Sequence, residues 1–522
     1  MYLQYILPYL VKIILGAIII LLIYNWKCFK LRKIDNKIWI ILGIIFLATI
    51  FIRTTLVPQT HYVYFDEFEH INVAQNILYN DRLCECFDGN NKVCNLCFGM
   101  PRPPGYHTFL SLIFEVFGDS ERMAFLANIT MASLSVVLMF FLIYMFSKSQ
   151  IASIAGAFLF SLVPVHLKFS GSTSMEILSI FLVILSMIIL ELYIKHKRAN
   201  IFLLFVLVFA FAVSSRIENV LLVPIFMTYL FFNLKQRQLK YFWSCRYIIP
   251  IIAFIIVLIS IFTFMNQTHT NMDLYPECKP FLGNKILCYF GIDYLKSNLP
   301  SNLTTITSPY KTPLMLWPLF LTGLFGLYKN KKHFFYLNSF FIFIFLYSSY
   351  HIGNFVSNNS FRYSIILYIP LIIIGSLGIK FIANKKLIPS TMLIILFLIS
   401  FLISVIPTID YIQSEHMYEQ QYQFILSMEE KLPKNVYIMT TTPVQIISTI
   451  KRKAITPNEL LNKDEMNNKL IWFKDLDWLK KYNENAKLEH MFKERFQIKL
   501  IKQKGLIAFY ELTPKENNSY KQ

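Results

Sequence analysis

Long apolar stretches alternate with short polar ones over the first 410 residues of the chain. An α-helix needs about 20 apolar residues to cross the hydrocarbon core of a bilayer. By that rule the pattern predicts about twelve membrane spans. They lie near residues 5–25, 38–56, 121–146, 150–166, 174–194, 200–214, 217–234, 247–265, 312–328, 333–350, 363–383 and 388–409.

Lysine and arginine cluster in alternate loops between these spans. The clusters lie at residues 27–37, 195–198, 235–246, 329–332 and 385–386. Basic loops stay on the cytoplasmic side of a membrane protein. We therefore expect the loops 57–120 and 266–311 to lie on the extracytoplasmic face, together with both termini and the segment after residue 410.

The composition agrees with a multi-pass membrane protein. The 522 residues are 55% hydrophobic, and the mean hydropathy is +0.49. The net charge of +19 would suit nucleic acid, but the basic residues fall in short clusters between apolar stretches and form no groove. We therefore expect no nucleic-acid partner. The first apolar stretch lacks a basic start and a cleavage site, so we interpret it as a retained span.

The composition changes after residue 410, where apolar stretches become short and charges of both signs mix. Segments with strand character lie at 435–439, 496–501 and 506–510. About 110 residues can build a small core of their own. The predicted fold is therefore an α-helical polytopic membrane domain, residues 1–410, followed by a compact external α/β domain, residues 411–522.

The most polar stretch in the first half of the chain runs from Tyr64 to Tyr106, and its first residues include Asp66, Glu67, Glu69 and His70. Ionised groups at a hydrocarbon boundary need water, a partner or a ligand. On a helix, Asp66, Glu69 and His70 would share one face. That face would present a base, a second carboxylate and an imidazole near the membrane surface. The plainer alternative is a solvated helix face in an outer loop.

Other charged residues lie at the predicted extracytoplasmic ends of spans. They are His166, Lys168, Glu176, Arg216, Glu218, His351 and Arg362. Arginine can hold a phosphate with paired hydrogen bonds, and a nearby carboxylate can take a proton from an attacking hydroxyl. As a set, these residues suit a substrate with a phosphate at headgroup depth and a lipid tail in the bilayer. The alternative for each residue alone is snorkelling or an internal ion pair.

The first large loop contains a group of four cysteines, Cys84, Cys86, Cys94 and Cys97. Two disulfides would brace a loop that is too small for its own core. Alternatively, four thiolates at this spacing would hold a structural zinc ion. In the loop 266–311, Cys278 and Cys288 form a further candidate disulfide.

In their order and sidedness these residues resemble the GT-C membrane glycosyltransferases. The closest resemblance is to glycosyltransferase family 39, which includes protein O-mannosyltransferases and lipid A aminoarabinose transferases. Asp66-Glu67 stands where that family has the acidic motif of its first loop, and a Pro-Pro-Gly-Tyr segment follows at 103–106. Ser215-Arg216-Ile217-Glu218 resembles its Ser/Thr-Arg-x-Glu element, and Phe361-Arg362-Tyr363 its late Arg-Tyr element. The additional first span and the four-cysteine insert depart from the family pattern.

The resemblance implies transfer of a sugar, with inversion, from a polyprenyl- or dolichyl-phosphate donor to a glycan, lipid or protein acceptor outside. Asp66 would be the general base, and Glu67 would position the acceptor or bind a metal. Arg362 would bind the donor phosphate, with Arg216 or Lys168 as helpers. Further substrate-binding candidates are Glu69, His70, Arg102, Tyr106, Glu218 and Tyr363. No cofactor is expected to be required, and a divalent cation is the alternative.

A transporter or flippase of lipid-linked substrates, without glycosyl transfer, is the competing interpretation. It would need charged residues or broken helices in mid-bilayer, and an inverted repeat. The charged residues lie at span ends and the sequence shows no repeat, which favours the enzyme. A third interpretation is a noncatalytic protein whose external domain binds partners.

Overall fold

The computed structural model describes most of the chain. It covers residues 2–29, 34–63, 65–90, 92–99, 102–233, 245–269, 291–308, 310–328, 330–350, 353–356, 360–385, 399, 403, 407–413, 418–457, 460, 469–476 and 482–515. The predicted Cys278–Cys288 bridge, His351 and most of the span predicted at 388–409 lie outside the described residues.

Helices dominate the chain as far as residue 385. They are α1 (Leu3–Tyr24), α2 (Asn36–Thr55), α3 (Phe65–Asn80), α4 (Gly105–Phe117), α5 (Glu121–Ser147), α6 (Gln150–Ser161), α7 (Pro164–Ser170), α8 (Glu176–His196), α9 (Ala199–Ser215), α10 (Val223–Asn233), α11 (Cys245–His269), α12 (Ile292–Thr307), α13 (Leu316–Leu327), α14 (Lys331–Ser339), α15 (Ile342–Ser348) and α16 (Tyr368–Asn384). Short 3-10 helices, Ile217–Leu222 and Ser360–Leu367, lead into α10 and α16. The Ser120 and Ser149 hydroxyls cap α5 and α6, because each accepts from a main-chain N–H of the first turn.

The helices fall on the predicted spans. Among the described residues, five helices are long and apolar enough to cross a membrane, namely Leu3–Tyr24, Asn36–Thr55, Glu121–Ser147, Glu176–His196 and Ser360–Asn384. The pair α6 and α7, bent by 59°, makes a sixth when it is counted as one span. Shorter apolar helices occupy the other predicted positions as far as residue 348. The predicted helical membrane fold is confirmed, and the count of twelve spans stays a prediction.

Two glycines let α13 and α16 pack backbone to backbone. A Cβ on Gly323 would lie 1.8 Å from the carbonyl oxygen of Ile374, and one on Gly378 would lie 2.1 Å from that of Leu319. In a bilayer, small residues allow this close approach, and the resulting dispersion contacts hold the helices together. The contact fixes α16 and the 3-10 helix that precedes it.

A seven-stranded sheet joins the first large loop to the C-terminal part of the chain. The strands are β1 (Cys84–Gly89), β2 (Cys94–Gly99), β3 (Ile438–Met439), β4 (Ala454–Ile455), β5 (Leu470–Lys474), β6 (Phe496–Lys504) and β7 (Ile507–Pro514), in the order β2-β1-β4-β3-β5-β7-β6. β3 runs parallel to β4 and β5, and the other pairs are antiparallel. Helices α17 (Glu419–Leu426), α18 (Pro443–Ile450) and α19 (Tyr482–Arg495) accompany the sheet.

The hairpin of β1 and β2 comes before residue 410 in the chain, and it adds two strands to one edge of the sheet formed by the C-terminal strands. β1 pairs with β4 through Asp88 opposite Ile455 and Gly89 opposite Ala454. The predicted C-terminal α/β fold is therefore present, and one edge of its sheet comes from the loop that follows α3. Sequence patterning does not show this pairing, because β1 and β4 are far apart in the chain.

The four cysteines bind the two strands of this hairpin together. Cys84 is bonded to Cys97 and Cys86 to Cys94, so the structure contains the disulfide alternative. The hairpin is also fastened to α3. The Asn72 side chain accepts from the Cys86 N–H at 2.7 Å, and Asn76 donates to the Cys84 carbonyl at 2.9 Å. The cysteine hairpin therefore braces the helix that carries the acidic motif.

Replacing Gly323 with alanine should destabilise the helical domain. The added methyl group would overlap the Ile374 carbonyl, and overpacking of this kind costs about 1–3 kcal/mol. The expected result is a lower melting temperature in detergent, followed by tryptophan fluorescence. Gly326→Ala in the same helix is the control, since its Cβ would meet nothing closer than 3.6 Å. Equal melting temperatures for the two variants would contradict the backbone contact.

Candidate active site

Helix α3 begins at the acidic motif. Asp66 and Glu67 lie in its first turn, where the partial positive charge of a helix N-terminus stabilises carboxylates. The helix predicted for this stretch is present, and it places Asp66, Glu69 and His70 on one face. The Asp66 side chain is 22% exposed, whereas Glu67 and His70 are fully buried. Asp66 is therefore the member of the motif that a ligand can reach.

Each carboxylate oxygen of Asp66 contacts a different arginine. Arg102 Nη2 lies 2.5 Å from Oδ1, and Arg362 Nη2 lies 2.8 Å from Oδ2. Arg102 also contacts the Glu69 carboxylate at 2.9 Å. Asp66 and Arg362 are 296 residues apart in the chain, so the fold brings together the two residues on which the sequence analysis depends most.

Glu176 continues the set of ion pairs into the interior. Its side chain is 1% exposed, and Oε1 lies 3.3 Å from Arg362 Nε and 3.5 Å from Arg216 Nη1. Arg216 Nε in turn lies 3.3 Å from Glu218 Oε2. The result is one continuous arginine network. We define it by its members, Asp66, Glu69, Arg102, Glu176, Arg216, Glu218 and Arg362.

The arginines of the network come from places where regular α-helix stops. Arg216 follows α9 with extended backbone, φ −154° and ψ 117°, and Arg362 belongs to a 3-10 helix. Arg102 precedes α4. A Cβ on Gly105, at the start of α4, would lie 2.5 Å from the main-chain carbon of Ser214 in α9. Glycine therefore allows the segments that carry Arg102 and Arg216 to lie side by side.

Burial and charge shift the two carboxyl groups on α3 in opposite directions. Burial alone would raise the pKa of Asp66, but the guanidiniums of Arg102 and Arg362 lower it well below its ordinary range. Burial raises the pKa of Glu69 to about 7, against the opposing charge of Arg102. Asp66 is therefore ionised and a weak base while both arginines hold it, whereas Glu69 changes charge near neutral pH.

Several buried polar atoms of the network have no hydrogen-bond partner among the residues described. They are Arg362 Nε, Arg362 Nη1, Arg216 Nη1 and Glu176 Oε2. A buried donor without a partner costs about 1–3 kcal/mol, and more when it is charged. Arg362 Nε and Arg216 Nη1 still lie within 3.5 Å of Glu176 Oε1, whereas Arg362 Nη1 has no ion-pair partner in the network. Guanidinium N–H groups without hydrogen bonds are suited to a ligand that is rich in acceptor oxygens.

Tyr363 supports both of these arginines. Its ring centroid lies 4.5 Å from the Arg216 guanidinium carbon and 5.1 Å from that of Arg362. Guanidinium groups stack on aromatic faces and keep their N–H edges available. The structure thus brings Tyr363 into the predicted site as the platform that holds the two arginines in place.

Glu67 points away from the network. It accepts from the main-chain N–H groups of Val63 and Thr173, both at 2.8 Å, and lies 3.3 Å from His61 Nδ1. These contacts tie the start of α3 to the turn between α7 and α8. Its observed partners give it a positioning role for the neighbouring Asp66.

Two further predicted residues connect the surrounding helices. The Tyr106 hydroxyl donates to Asn128 Oδ1 at 3.3 Å, between α4 and α5. Lys168 Nζ donates to the Tyr411 carbonyl at 2.8 Å, and it lies over the rings of Tyr62 and Tyr411. Both side chains are buried.

Glu176 was predicted from the sequence as a charge at a span end, in one set with Arg216 and Arg362, but its contacts with these two arginines were not. One residue of the site was not predicted at all. This residue is His107, which follows Tyr106 and lies 2.9 Å from His70 Nδ1. The one available signal was the position of His107 in the polar segment that begins α4.

A divalent cation does not fit these side chains as they are arranged. In the described ranges no three histidine, cysteine, aspartate or glutamate side chains converge on a point. Both oxygens of Asp66 accept hydrogen bonds from guanidiniums. No step of the chemistry below is derived through a metal.

Comparison with known proteins identifies the fold that carries these side chains. Residues 101–262 match the family described as dolichyl-phosphate-mannose-protein mannosyltransferase, and no curated protein sequence matches the chain. ArnT from Cupriavidus metallidurans bound to undecaprenyl phosphate is 9% identical, with a TM-score of 0.58 over 91% of this chain and 98% of its own. The chain has the GT-C fold. The GT-C resemblance seen in the acidic motif and the two arginine elements is thus confirmed.

Two archaeal structures share this GT-C fold. The oligosaccharyltransferase AglB from Archaeoglobus fulgidus in complex with an inhibitory peptide and a dolichol-phosphate is 10% identical, with a TM-score of 0.51, over 90% of this chain and 74% of its own. The Archaeoglobus fulgidus oligosaccharyltransferase in complex with Zn and sulfate is 11% identical, with a TM-score of 0.51, over 89% of this chain and 72% of its own. At these identities the likeness extends to the GT-C fold and not to a substrate.

Glu176→Gln should destabilise the protein strongly. The change leaves Arg216 and Arg362 without the buried carboxylate that they share, and breaking a buried ion pair costs about 3–5 kcal/mol. Thermal unfolding in detergent measures the effect. Glu218→Gln is the matched control. Its carboxylate is 29% exposed and contacts Arg216 alone within the network, so the cost should be about 0–1 kcal/mol. A smaller effect at Glu176 than at Glu218 would contradict this account.

Proposed function

We propose that the protein is an integral-membrane glycosyltransferase that moves a sugar from a polyprenyl- or dolichyl-phosphate donor to an acceptor, with Asp66 as general base. The convergence of Arg102, Arg216 and Arg362 on Asp66 and Glu176, with guanidinium N–H groups unpaired, carries the proposal. The alternation of basic loops supports an extracytoplasmic site. The acceptor is then a glycan, a lipid or a protein at that face.

The comparisons support a lipid-phosphate donor. The description of the matching family names dolichyl-phosphate mannose. Two of the structural relatives carry undecaprenyl phosphate and dolichol-phosphate. For this chain, the same ligand class follows independently from its own arginines.

A phosphate satisfies what the network leaves unpaired. Its oxygens accept from several N–H groups at once, and the planar guanidinium matches them in pairs. Arg362 Nη1 has neither a hydrogen bond nor an ion pair among the residues described, and Arg102, which shares Asp66 with Arg362, is 21% exposed. Because the network lies at the ends of apolar helices, a polyprenyl tail attached to that phosphate can remain in the bilayer.

Donor binding also changes the state of Asp66. The phosphate and the Asp66 carboxylate are both oxyanions, so they compete for the N–H groups of Arg102 and Arg362. When the phosphate takes these groups, Asp66 loses the charges that depress its pKa and becomes a stronger base. The base is thus inactive without the donor and becomes active once the donor is in place.

The transfer itself is a single displacement. The acceptor oxygen or nitrogen attacks the anomeric carbon, and its proton passes to Asp66. The bond between the anomeric carbon and the phosphate oxygen breaks, and its electron pair leaves with the polyprenyl phosphate. The arginines stabilise the charge that develops on that phosphate. Attack from the face opposite the leaving group inverts the anomeric centre.

Two predicted binding roles stay predictions. Glu67 as an acceptor ligand and Lys168 as a phosphate helper have no support in the contacts described, which serve packing. Glu67 directly follows Asp66 in α3, and Lys168 lies in the last turn of α7. The proposal depends on neither of them.

Asp66→Asn should abolish transfer and tighten donor binding. Asparagine cannot take the proton, and loss of a general base lowers the rate about 10²–10⁴-fold. It also carries no charge, so it competes poorly for Arg102 and Arg362, and the Kd for undecaprenyl phosphate should fall several-fold. Radiolabelled undecaprenyl-phosphate sugars with cell-envelope acceptors measure transfer, and fluorescence titration measures binding.

Asp81→Asn is the matched control, because Asp81 lies just after α3 and is exposed. It should change neither quantity. An Asp66→Asn protein that transfers sugar at the normal rate would reject Asp66 as the base. Unchanged or weaker binding of undecaprenyl phosphate would reject the exchange of ion pairs. Translocation of the lipid without consumption of the sugar would favour a flippase.

Affinity for undecaprenyl phosphate should depend on Glu69 near neutral pH. Below about pH 7 Glu69 is protonated and neutral, which removes one of the two carboxylates that compete with the phosphate for Arg102. As the pH rises through that value, Glu69 gains a charge that holds Arg102 and repels the phosphate. The ratio of Kd at pH 8 to Kd at pH 6 should therefore be several-fold larger for the wild type than for Glu69→Gln. The phosphate's own titration cancels in this comparison, so equal ratios would contradict the account.

A further inference from the structure

A pair of buried histidines connects α3 with the start of α4. His70 Nδ1 lies 2.9 Å from His107 Nε2, and His107 Nδ1 lies 3.1 Å from the carbonyl oxygen of Pro103. His70 and His107 are 0% and 1% exposed. Pro103 directly follows Arg102, so this chain of hydrogen bonds begins at the arginine network and ends on α3.

The Pro103 carbonyl fixes the positions of the protons. A carbonyl oxygen only accepts, so His107 Nδ1 carries a proton and donates it. Burial lowers the pKa of His107 to about 3, and the charge of Arg102 contributes, so the ring is neutral and its Nε2 is an acceptor. His70 Nδ1 must then be the donor to His107. A neutral His70 therefore has a bare lone pair on Nε2.

That Nε2 atom is fully buried and has no hydrogen-bond partner in the described part of the chain. Leaving a buried acceptor unpaired costs about 1–3 kcal/mol. His107 holds the opposite edge of the ring, and the Tyr106 ring packs against it edge to face at 5.3 Å. The imidazole therefore cannot turn to find another partner without breaking its bond to His107.

His70 belongs to the side of α3 that carries Asp66. His70 lies one helical turn after Asp66 on the same face. Burial lowers the pKa of His70 well below its ordinary value, and the charges of Arg102 and Arg362 lower it further, against the opposing charge of Asp66. These arginines are the ones proposed to hold the donor phosphate. The sugar is bonded directly to that phosphate, so it must lie among the side chains next to them.

We propose that His70 Nε2 accepts a hydrogen bond from a hydroxyl of the donor sugar and thereby selects a neutral sugar. This inference rests on the proposed transferase function. His107 is a positioning residue that keeps the lone pair directed at the sugar. His70 is a specificity-determining residue that touches the substrate.

The surroundings of Nε2 restrict the chemistry of its partner. A phosphate or carboxylate oxygen is excluded, because it would set one lone pair against another. Burial and the charges of Arg102 and Arg362 disfavour a positive charge at His70 and outweigh the opposing charge of Asp66, so they also disfavour an ammonium group beside Nε2. A hydroxyl donates a proton and carries no charge. A site built to bind a substrate hydroxyl discriminates strongly against an analogue that lacks it, because the protein's acceptor is then left unpaired.

Two binding probes separate this inference from the proposed function. The full-length protein in nanodiscs is titrated with undecaprenyl phosphate. It is then titrated with undecaprenyl phosphate carrying mannose, glucose, galactose, N-acetylglucosamine or aminoarabinose. The wild type should bind the bare phosphate and at least one neutral-sugar donor, and transfer that sugar. His70→Phe keeps a ring of similar volume and removes the acceptor. It should bind undecaprenyl phosphate within twofold of wild type and the preferred donor about tenfold more weakly.

Rescue tests whether an acceptor is what matters. His70→Gln retains an acceptor oxygen and should recover most of the lost donor affinity. His107→Leu should lower donor affinity and leave binding of undecaprenyl phosphate unchanged, whereas His107→Gln, which can still accept from His70, should not. Unchanged binding of undecaprenyl phosphate also shows that each variant is folded.

The possible outcomes distinguish failure of the proposed transferase function from failure of the role assigned to His70. If the wild type binds no undecaprenyl phosphate, the proposed function fails. If it binds and transfers but His70→Phe weakens the sugar-bearing donor no more than the bare phosphate, this inference fails. Preference for aminoarabinose overturns it as well. An effect of His70→Phe on the acceptor KM alone, with donor binding intact, would assign the hydroxyl to the acceptor and reject the donor-sugar assignment.

Discussion

The ion pairs between Asp66 and two arginines are the interaction on which the rest of the site depends. A carboxylate held at 2.5 Å and 2.8 Å by Arg102 and Arg362 is well stabilised and poorly basic. An arginine held by a carboxylate is likewise not free to bind a phosphate. Asp66, Arg102 and Arg362 therefore hold one another in an arrangement in which the carboxylate is a weak base and the arginines are occupied. In the proposed function a lipid phosphate exchanges with Asp66 for these guanidiniums and thereby makes Asp66 a stronger base.

The surrounding fold keeps these side chains at fixed positions. Glu67 and the asparagines on the opposite side of α3 fasten that helix to the α7–α8 turn and to the cysteine hairpin. Close contact at Gly105 sets α4 against α9, and glycine contacts set α16 against α13. Glu176 contacts both interior arginines, Arg216 and Arg362. These contacts fix the segments that carry the arginine network, as preorganisation of a site requires.

Much of this could be predicted from the sequence, because membrane insertion constrains it strongly. Apolar length predicted the helices, and loop charge placed Asp66 and Arg362 on one side. The ion pairs inside the arginine network could not be predicted, because they depend on how the helices pack and not on the spacing of residues in the sequence. The same is true of the hairpin that joins the C-terminal sheet. The partners of Glu67 could not be predicted either. The sequence places this carboxylate beside Asp66, but it does not show which hydrogen bonds the side chain makes.

The histidine pair shows why a local pattern is insufficient. The sequence predicted His70 as part of an acidic helix face. Its proposed role as a hydrogen-bond acceptor follows from its contact with His107 and from the Pro103 carbonyl on another segment. Neither the protonation of a ring nor the absence of a partner can be read from residue type. In the structure, the Pro103 carbonyl determines which nitrogen of His107 carries its proton, and the surroundings of His70 leave its Nε2 without a partner among the residues described.

The most direct test of the central claim is a structure of the wild-type protein with undecaprenyl phosphate. The account predicts a phosphate within hydrogen-bond distance of Arg102 and Arg362, with Arg216 beside it and the Asp66 carboxylate released from both guanidiniums. A phosphate bound elsewhere, or bound while both ion pairs of Asp66 remain intact, would contradict it.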